Sequence, residues 1–152
     1  MGPTTGGAAE RSSSGLRMDH VGLNVADLEL MTAWYVQAFG YEVQQRFDLS
    51  SIDLRIVMLV DATGLRLELI ARSTGGPGLR AGSPVEAAST WGFGHLCFEV
   101  GDLDGVYGRL LHRGATSVLD PRPAPQEGWR MAWVHDPEGN LIELICGSTA
   151  HL

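Results

Sequence analysis

At 152 residues the chain has room for one ordinary domain or for two small half-domains sharing a core. It is 44% hydrophobic and 19% charged, enough apolar content to bury a core, which excludes a disordered composition. A formal net charge of −7 argues against nucleic acid and anionic membrane as partners.

In chain order, residues 1–15 (MGPTTGGAAERSSSG) lack periodicity and read as a disordered leader or an expression remnant. Residues 20–25 (HVGLNV) read as a short strand, with Asp27 as the N-cap of a helix after it. Leu28, Met31, Trp34, Tyr35, Ala38 and Phe39 recur at helical spacing and Gly40 stops the run, predicting that helix over 28–39. Extended segments are expected at 41–47, 54–60 and 66–71, the last two joined by the turn Asp61-Ala62-Thr63-Gly64. The stretch 73–90 is rich in Gly, Pro, Ser and Ala, and predicts a linker over 73–92 between a first module (16–72) and a second (93–147).

The second module repeats the plan. A strand is expected over 95–100, then an Asp102 cap and a helix carrying Leu103, Val106, Tyr107, Leu110 and Leu111 before Gly114. Strands are expected next at 116–119, 130–135 and 140–146, with Asp136-Pro137-Glu138-Gly139 turning between the last two. Residues 148–152 form a tail. No apolar run is long enough to span a bilayer and no signal-peptide pattern is present. Two cysteines, Cys97 and Cys146, without Cys-x-x-Cys spacing, predict a reduced cytoplasmic setting.

The repetition extends to residue identities. His20 opens HVGLNVADL and His95 opens HLCFEVGDL, 75 residues later, with four of nine positions identical. Glu68 in DATGLRLELI and Glu143 in DPEGNLIELI lie at the same offset, with five of ten identical. Unrelated segments would match at roughly one position in sixteen to twenty. The chain is an internal duplication, each half placing a His 48 residues before a Glu. A glutamate inside an apolar strand such as RLELI or LIELI is costly to bury without a partner, and a metal ion would remove that cost. Strand alternation puts Asn24 in phase with His20, Cys97 with His95, and Arg66 with Glu68. Asn24, Arg66, Cys97, Arg130 and Trp133 are therefore candidates to line a substrate pocket. For Cys97 and Trp133 the first explanation is a core role, as free cysteines and alternating strand aromatics commonly have. His112 is expected in solvent, His135 in a structural role, and His151 in the tail.

The leading His strand, the Asp-Leu helix start, the DPEGNLIEL ending and the paired βαβββ layout resemble the vicinal oxygen chelate superfamily. That superfamily includes glyoxalase I, methylmalonyl-CoA epimerase, extradiol dioxygenases, fosfomycin-modifying enzymes and bleomycin-binding proteins. The resemblance covers residues 18–146. It implies an α+β fold of two tandem βαβββ modules forming a cupped sheet pocket. It also implies one divalent metal ion (Ni, Co, Zn, Mn or Fe) held by His20, Glu68, His95 and Glu143. That full set looks like glyoxalase I and the epimerases, and the function expected is a metal-dependent lyase or isomerase. It would move a proton through a metal-stabilised enediolate on a small α-oxo thiol adduct, with Glu143 as the proton carrier and Glu68 as ligand or second base. Three alternatives stand beside it. A methylmalonyl-CoA epimerase-like enzyme would need a second carboxylate upstream of Glu68, where only Asp53 could serve. An Fe(II) ring-cleaving dioxygenase would need only His20, His95 and Glu143. A non-catalytic antibiotic-binding protein would need no metal. The expected partners are a small-molecule substrate and, by resemblance, a second copy in a homodimer, with the site either within one chain or shared between two.

Overall fold

The computed structural model describes residues 17–147. The expectations for 1–15 and 148–152, including His151, lie outside the described residues. Each half of the chain forms one βαβββ unit. The first comprises β1 (His20–Val25), α1 (Leu28–Phe39), β2 (Glu42–Leu49), β3 (Leu54–Val60) and β4 (Arg66–Ala71), with a 3-10 turn at Ser50–Ile52 between β2 and β3. After a short helix α2 (Pro84–Ala87), the second comprises β5 (Leu96–Glu99), α3 (Leu103–His112), β6 (Thr116–Pro123), β7 (Arg130–His135) and β8 (Leu141–Cys146). The two sheets have the same order, β1-β4-β3-β2 and β5-β8-β7-β6, with the His-side strand of each at an edge and parallel to the Glu-bearing strand. The α+β, two-module architecture is as expected.

Local chemistry sets the helix limits. Asp27 accepts a hydrogen bond from Leu30 N at 3.0 Å, and Gly40 closes α1 in the left-handed region at φ 73°, where a side chain would be strained. Asp102 caps α3 in the same way, through Gly105 N at 2.9 Å. β6 runs four residues past the expected Leu119 and carries Pro121 and Pro123. It is an edge strand with two register shifts, where missing N–H donors are tolerated.

One core spans both modules. Met31, Tyr35, Leu59 and Leu69 of the first half are fully buried with Leu110, Val134, Ile142 and Leu144 of the second. Each such side chain contributes about 1.5–3 kcal/mol on leaving water. Polar contacts fix the docking. The Glu138 carboxylate accepts from Ala26 N at 2.8 Å and Asp27 N at 2.7 Å, so the second module's turn caps the first module's helix. Tyr35 OH donates to Asp136 at 3.1 Å, Trp34 Nε1 donates to Arg113 O at 2.9 Å, and Phe39 stacks on Phe98 at 4.3 Å.

The inter-module segment is more than a tether. Ser83 Oγ accepts from Glu86 N at 3.1 Å as the N-cap of α2, and the Glu86 carboxylate reaches back to accept from Gly82 N at 2.8 Å, with Pro84 at the helix start. Ala81 and Ala87 are buried against Trp133 and Leu141 of the second sheet, and His135 Nε2 donates to Ala81 O at 2.8 Å. The structural role expected of His135 is this bond. Among the described residues no helix is long and apolar enough to cross a membrane.

Candidate metal centre

Register decides which side chains share a face. In the first sheet His20 is opposite Arg66, Gly22 opposite Glu68, and Glu68 opposite Met58. Along β4, Leu67, Leu69 and Ala71 are buried in the core while Arg66, Glu68 and Ile70 turn to the other side. His20, Gly22 and Asn24 are the exposed positions of β1 and lie on that same side. In the second sheet Cys97 and Trp133 flank Glu143 from the two neighbouring strands, and Ile142 and Leu144 point into the core.

Each face thus carries one imidazole–carboxylate pair. His20 Nε2 is 3.4 Å from Glu68 Oε2, and His95 Nε2 is 3.3 Å from Glu143 Oε2. Exposures match as well: 37% and 38% for the two histidine side chains, 19% for each glutamate. Neither glutamate is in an ion pair with an arginine or lysine among the described residues. Borderline nitrogen donors beside oxygen donors suit a first-row divalent ion. A pair alone supplies two protein ligands, fewer than the three usual in catalytic zinc sites. Among the described residues no group of three or more His, Cys, Asp or Glu side chains comes together in a metal-holding cluster. The structure brings His20 to Glu68 and His95 to Glu143, and does not bring the two pairs to each other.

The surroundings of the pairs differ. His20 Nδ1 donates to Asp19 Oδ2 at 3.0 Å, and Arg66 Nη2 donates to Asp19 Oδ1 at 2.7 Å. The hydrogen bond from His20 holds Asp19 below the usual carboxylate range, against the opposing effect of burial, and the Arg66 and Arg17 charges add to it. His95 instead meets the ring of Trp133 edge-on, centroids 4.6 Å apart. Cys97 is an exposed residue, yet its thiol is pushed up to about 12, first by desolvation and then by the Glu143 carboxylate beside it. At the matched position of the first module stands Gly22, where an added Cβ would lie 3.6 Å from Glu68 Oε2.

Of the pocket candidates, Asn24, Arg66, Cys97 and Trp133 lie on the ligand-bearing faces, Trp133 at only 6% exposure. Arg130 does not. It is in phase with Ala132 and Val134 of the core side and pairs with Asp104 of α3 at 2.6 and 3.1 Å. Asp53 sits in the left-handed region at φ 53°, and its carboxylate accepts from Ser73 N at 3.1 Å and Ser73 Oγ at 2.5 Å. His112 is exposed on α3 as expected, its Nδ1 bonded to Gly108 O. Asp19 was not among the expected site residues. A carboxylate immediately before a candidate ligand His is the signal that could have found it. A surface concavity beside α3, walled by Asp104, Gly108, Arg109 and His112, contains none of the four ligand candidates.

The family model described as the Glyoxalase/Bleomycin resistance protein/Dioxygenase superfamily matches residues 17–144. The chain is 23% identical over 144 residues to a probable lactoylglutathione lyase of Vibrio cholerae, covering 89% of this chain and 94% of that protein. It is 29% identical over 132 residues to biphenyl-2,3-diol 1,2-dioxygenase 3 of Rhodococcus globerulus (84% of this chain, 62% of that protein). It is 43% identical over 51 residues to metapyrocatechase 2 of Cupriavidus necator, spanning 34% of this chain and 15% of that protein. Glyoxalase I from Zea mays superposes with a TM-score of 0.70 at 22% identity, over 85% of this chain and 44% of that one, a likeness of fold.

Proposed function

This chain belongs to the glyoxalase/bleomycin resistance protein/dioxygenase superfamily, and from that premise we propose that it is a divalent-metal-dependent lyase or isomerase acting on a small α-oxo thiol adduct, with each site shared between two copies of the chain. The observation that carries the reading is the pair of equivalent half-sites, His20–Glu68 and His95–Glu143, each on the sheet face turned away from the core and each lacking the other two ligands. A homodimer related by a two-fold axis would set the first face of one copy against the second face of the other, twice over. Exposed apolar residues border both faces. Trp91 and Phe93, 99% and 97% exposed, lead directly into His95, and Phe47, Leu49 and Ile52 fringe the first sheet. Patches of that kind mark association surfaces.

In such a centre His20, His95, Glu68 and Glu143 would hold the ion, whose chemistry is Lewis-acid polarisation of a substrate carbonyl or hydroxyl, acidifying the adjacent C–H. Glu143 would take that proton on a carboxylate oxygen and return it to the neighbouring carbon. Trp133 and the linker residues packed on it would keep water from one side of the substrate. Asp53 gives the epimerase alternative little support, because Ser73 already occupies its carboxylate. The likeness to a biphenyl-2,3-diol dioxygenase favours one second reading, a ring-cleaving dioxygenase using His20, His95 and Glu143 around Fe(II).

A complementation experiment tests the shared site. One variant carries His20→Ala and Glu68→Gln, the other His95→Ala and Glu143→Gln, and elemental mass spectrometry tracks metal per protomer. Each alone is expected to be metal-poor and inactive towards the methylglyoxal–thiol adduct. After co-refolding, random pairing restores about a quarter of wild-type sites. No recovery in verified mixed dimers would place each site within one chain. Wild-type protein that takes up no divalent ion would end the enzymatic reading in favour of ligand binding. Stoichiometric iron with oxygen uptake on a catechol would select the dioxygenase.

A further inference from the structure

The two histidines meet their glutamates alike but are backed differently. His20 presents Nε2 to Glu68 while its Nδ1 is bonded to Asp19, and Asp19 is itself gripped by Arg66. Seventy-five residues on, Gly94 stands where Asp19 does and Leu141 where Arg66 does. No carboxylate can therefore back His95 from the matched position, and its ring lies beside that of Trp133 in an edge-type contact.

An imidazole can offer either nitrogen to a metal ion, and the partner of one nitrogen decides which is offered. Histidine ligands whose second nitrogen donates to a carboxylate are held in one tautomer and one ring orientation. We propose that Asp19, braced by Arg66, is a positioning residue that locks the His20 ring with Nδ1 protonated and Nε2 facing Glu68. The first-module histidine thereby carries a carboxylate constraint on its second nitrogen that the matched position of the second module does not supply. This rests on the metal reading above and adds a residue to it.

Magnitudes separate positioning from stability. The Asp19, Arg66 and His20 side chains are about half, a quarter and a third exposed, and ion pairs at such a surface contribute little to folding. Losing Asp19 should therefore leave the thermal midpoint nearly unchanged while freeing the ring. Loss of a carboxylate that backs a metal-bound histidine costs about ten- to a hundred-fold in metal affinity.

The test uses full-length protein labelled with ¹⁵N at histidine, titrated with Zn²⁺ as the only added ion, as wild type, Asp19→Asn and Asp19→Ala. Long-range ¹H–¹⁵N spectra read which ring nitrogen carries the proton and which carries zinc, and chelator competition reads affinity. Wild type and Asp19→Asn, whose amide oxygen still accepts, should show a protected Nδ1–H and zinc on Nε2 of His20. Asp19→Ala should lose the protected proton and bind zinc about ten- to a hundred-fold more weakly, with no matching change at His95. Zinc bound through His20 Nε2 at wild-type affinity in Asp19→Ala would overturn the positioning role alone. An Asp19→Asn protein as weak as Asp19→Ala would overturn it too, because charge rather than orientation would then be the cause. Wild-type protein that takes up no zinc would overturn the metal reading itself.

Discussion

The two half-sites hold the same pair of residues at nearly the same distance, yet almost nothing around them is shared. In the first, Gly22 leaves the flank of Glu68 bare and Asp19 backs His20. In the second, Cys97 fills the matched flank, Trp133 supports His95, and the inter-module segment is packed onto the sheet. Parallel register alone reproduces the His–Glu geometry, so duplication keeps it automatically. Tuning depends on neighbours that register does not constrain, and those have diverged.

The largest test of that difference is kinetic. If Glu143 carries the proton, Glu143→Gln should lower kcat on the methylglyoxal–thiol adduct by about 10²–10⁴ at saturating metal. Glu68→Gln should raise the metal requirement more than it lowers kcat. Equal losses in kcat would make the halves interchangeable.

The hairpin turns sharpen the comparison on the stability side. Asp61 accepts from Thr63 N and Leu65 N at a partly exposed turn, whereas Asp136 is 2% exposed and accepts from Glu138 N, Asn140 N, Asn140 Nδ2 and Tyr35 OH. Buried donors left without an acceptor cost about 1–3 kcal/mol each. Asp136→Ala should therefore lower unfolding free energy in urea by about 3 kcal/mol or more, and Asp61→Ala by about 1 kcal/mol. Matching losses would mean that the burial of the second turn is irrelevant.

A smaller effect reads the flank of Glu143. In metal-free protein the Cys97 thiol, pushed up to about 12 by burial and by Glu143, should resist iodoacetamide at pH 8. Its alkylation rate should climb about tenfold per pH unit as the thiolate fraction rises. Glu143→Gln removes a negative neighbour that disfavours the thiolate, so the thiol pKa falls and alkylation at pH 8 speeds up. An unchanged rate would show that burial alone protects Cys97.

Much of this was legible in residue order. The limits of α1, β3, β4 and β7 emerge from apolar spacing bounded by Asp, Gly and turn residues, and the repeat located all four ligand candidates. Other features depend on contacts that sequence spacing does not encode. Glu138 capping α1 joins residues more than a hundred positions apart. Arg130 was misplaced because alternation says which residues share a face, not which face meets the core. Ser83-Pro84-Val85-Glu86 does carry a capping-box signature, concealed by its Gly- and Ala-rich surroundings. Asp19 escaped because it has no counterpart in the repeat, and the repeat was the guide.

The outer strands carry a consequence for handling and cellular fate. An unpaired strand edge invites aggregation unless charges or prolines blunt it. β6 carries Pro121 and Pro123, and β2 carries Glu42, Arg46 and Asp48. The short histidine-side strands β1 and β5, HVGLNV and LCFE, have no proline, and their only titratable guards are His20 and Glu99 apart from the Cys97 thiol. If the chain pairs as proposed, solubility is tied to the assembly state. A variant that folds but cannot find its partner should precipitate at concentrations where the wild type stays clear, and a poor soluble yield would report failed pairing rather than failed folding.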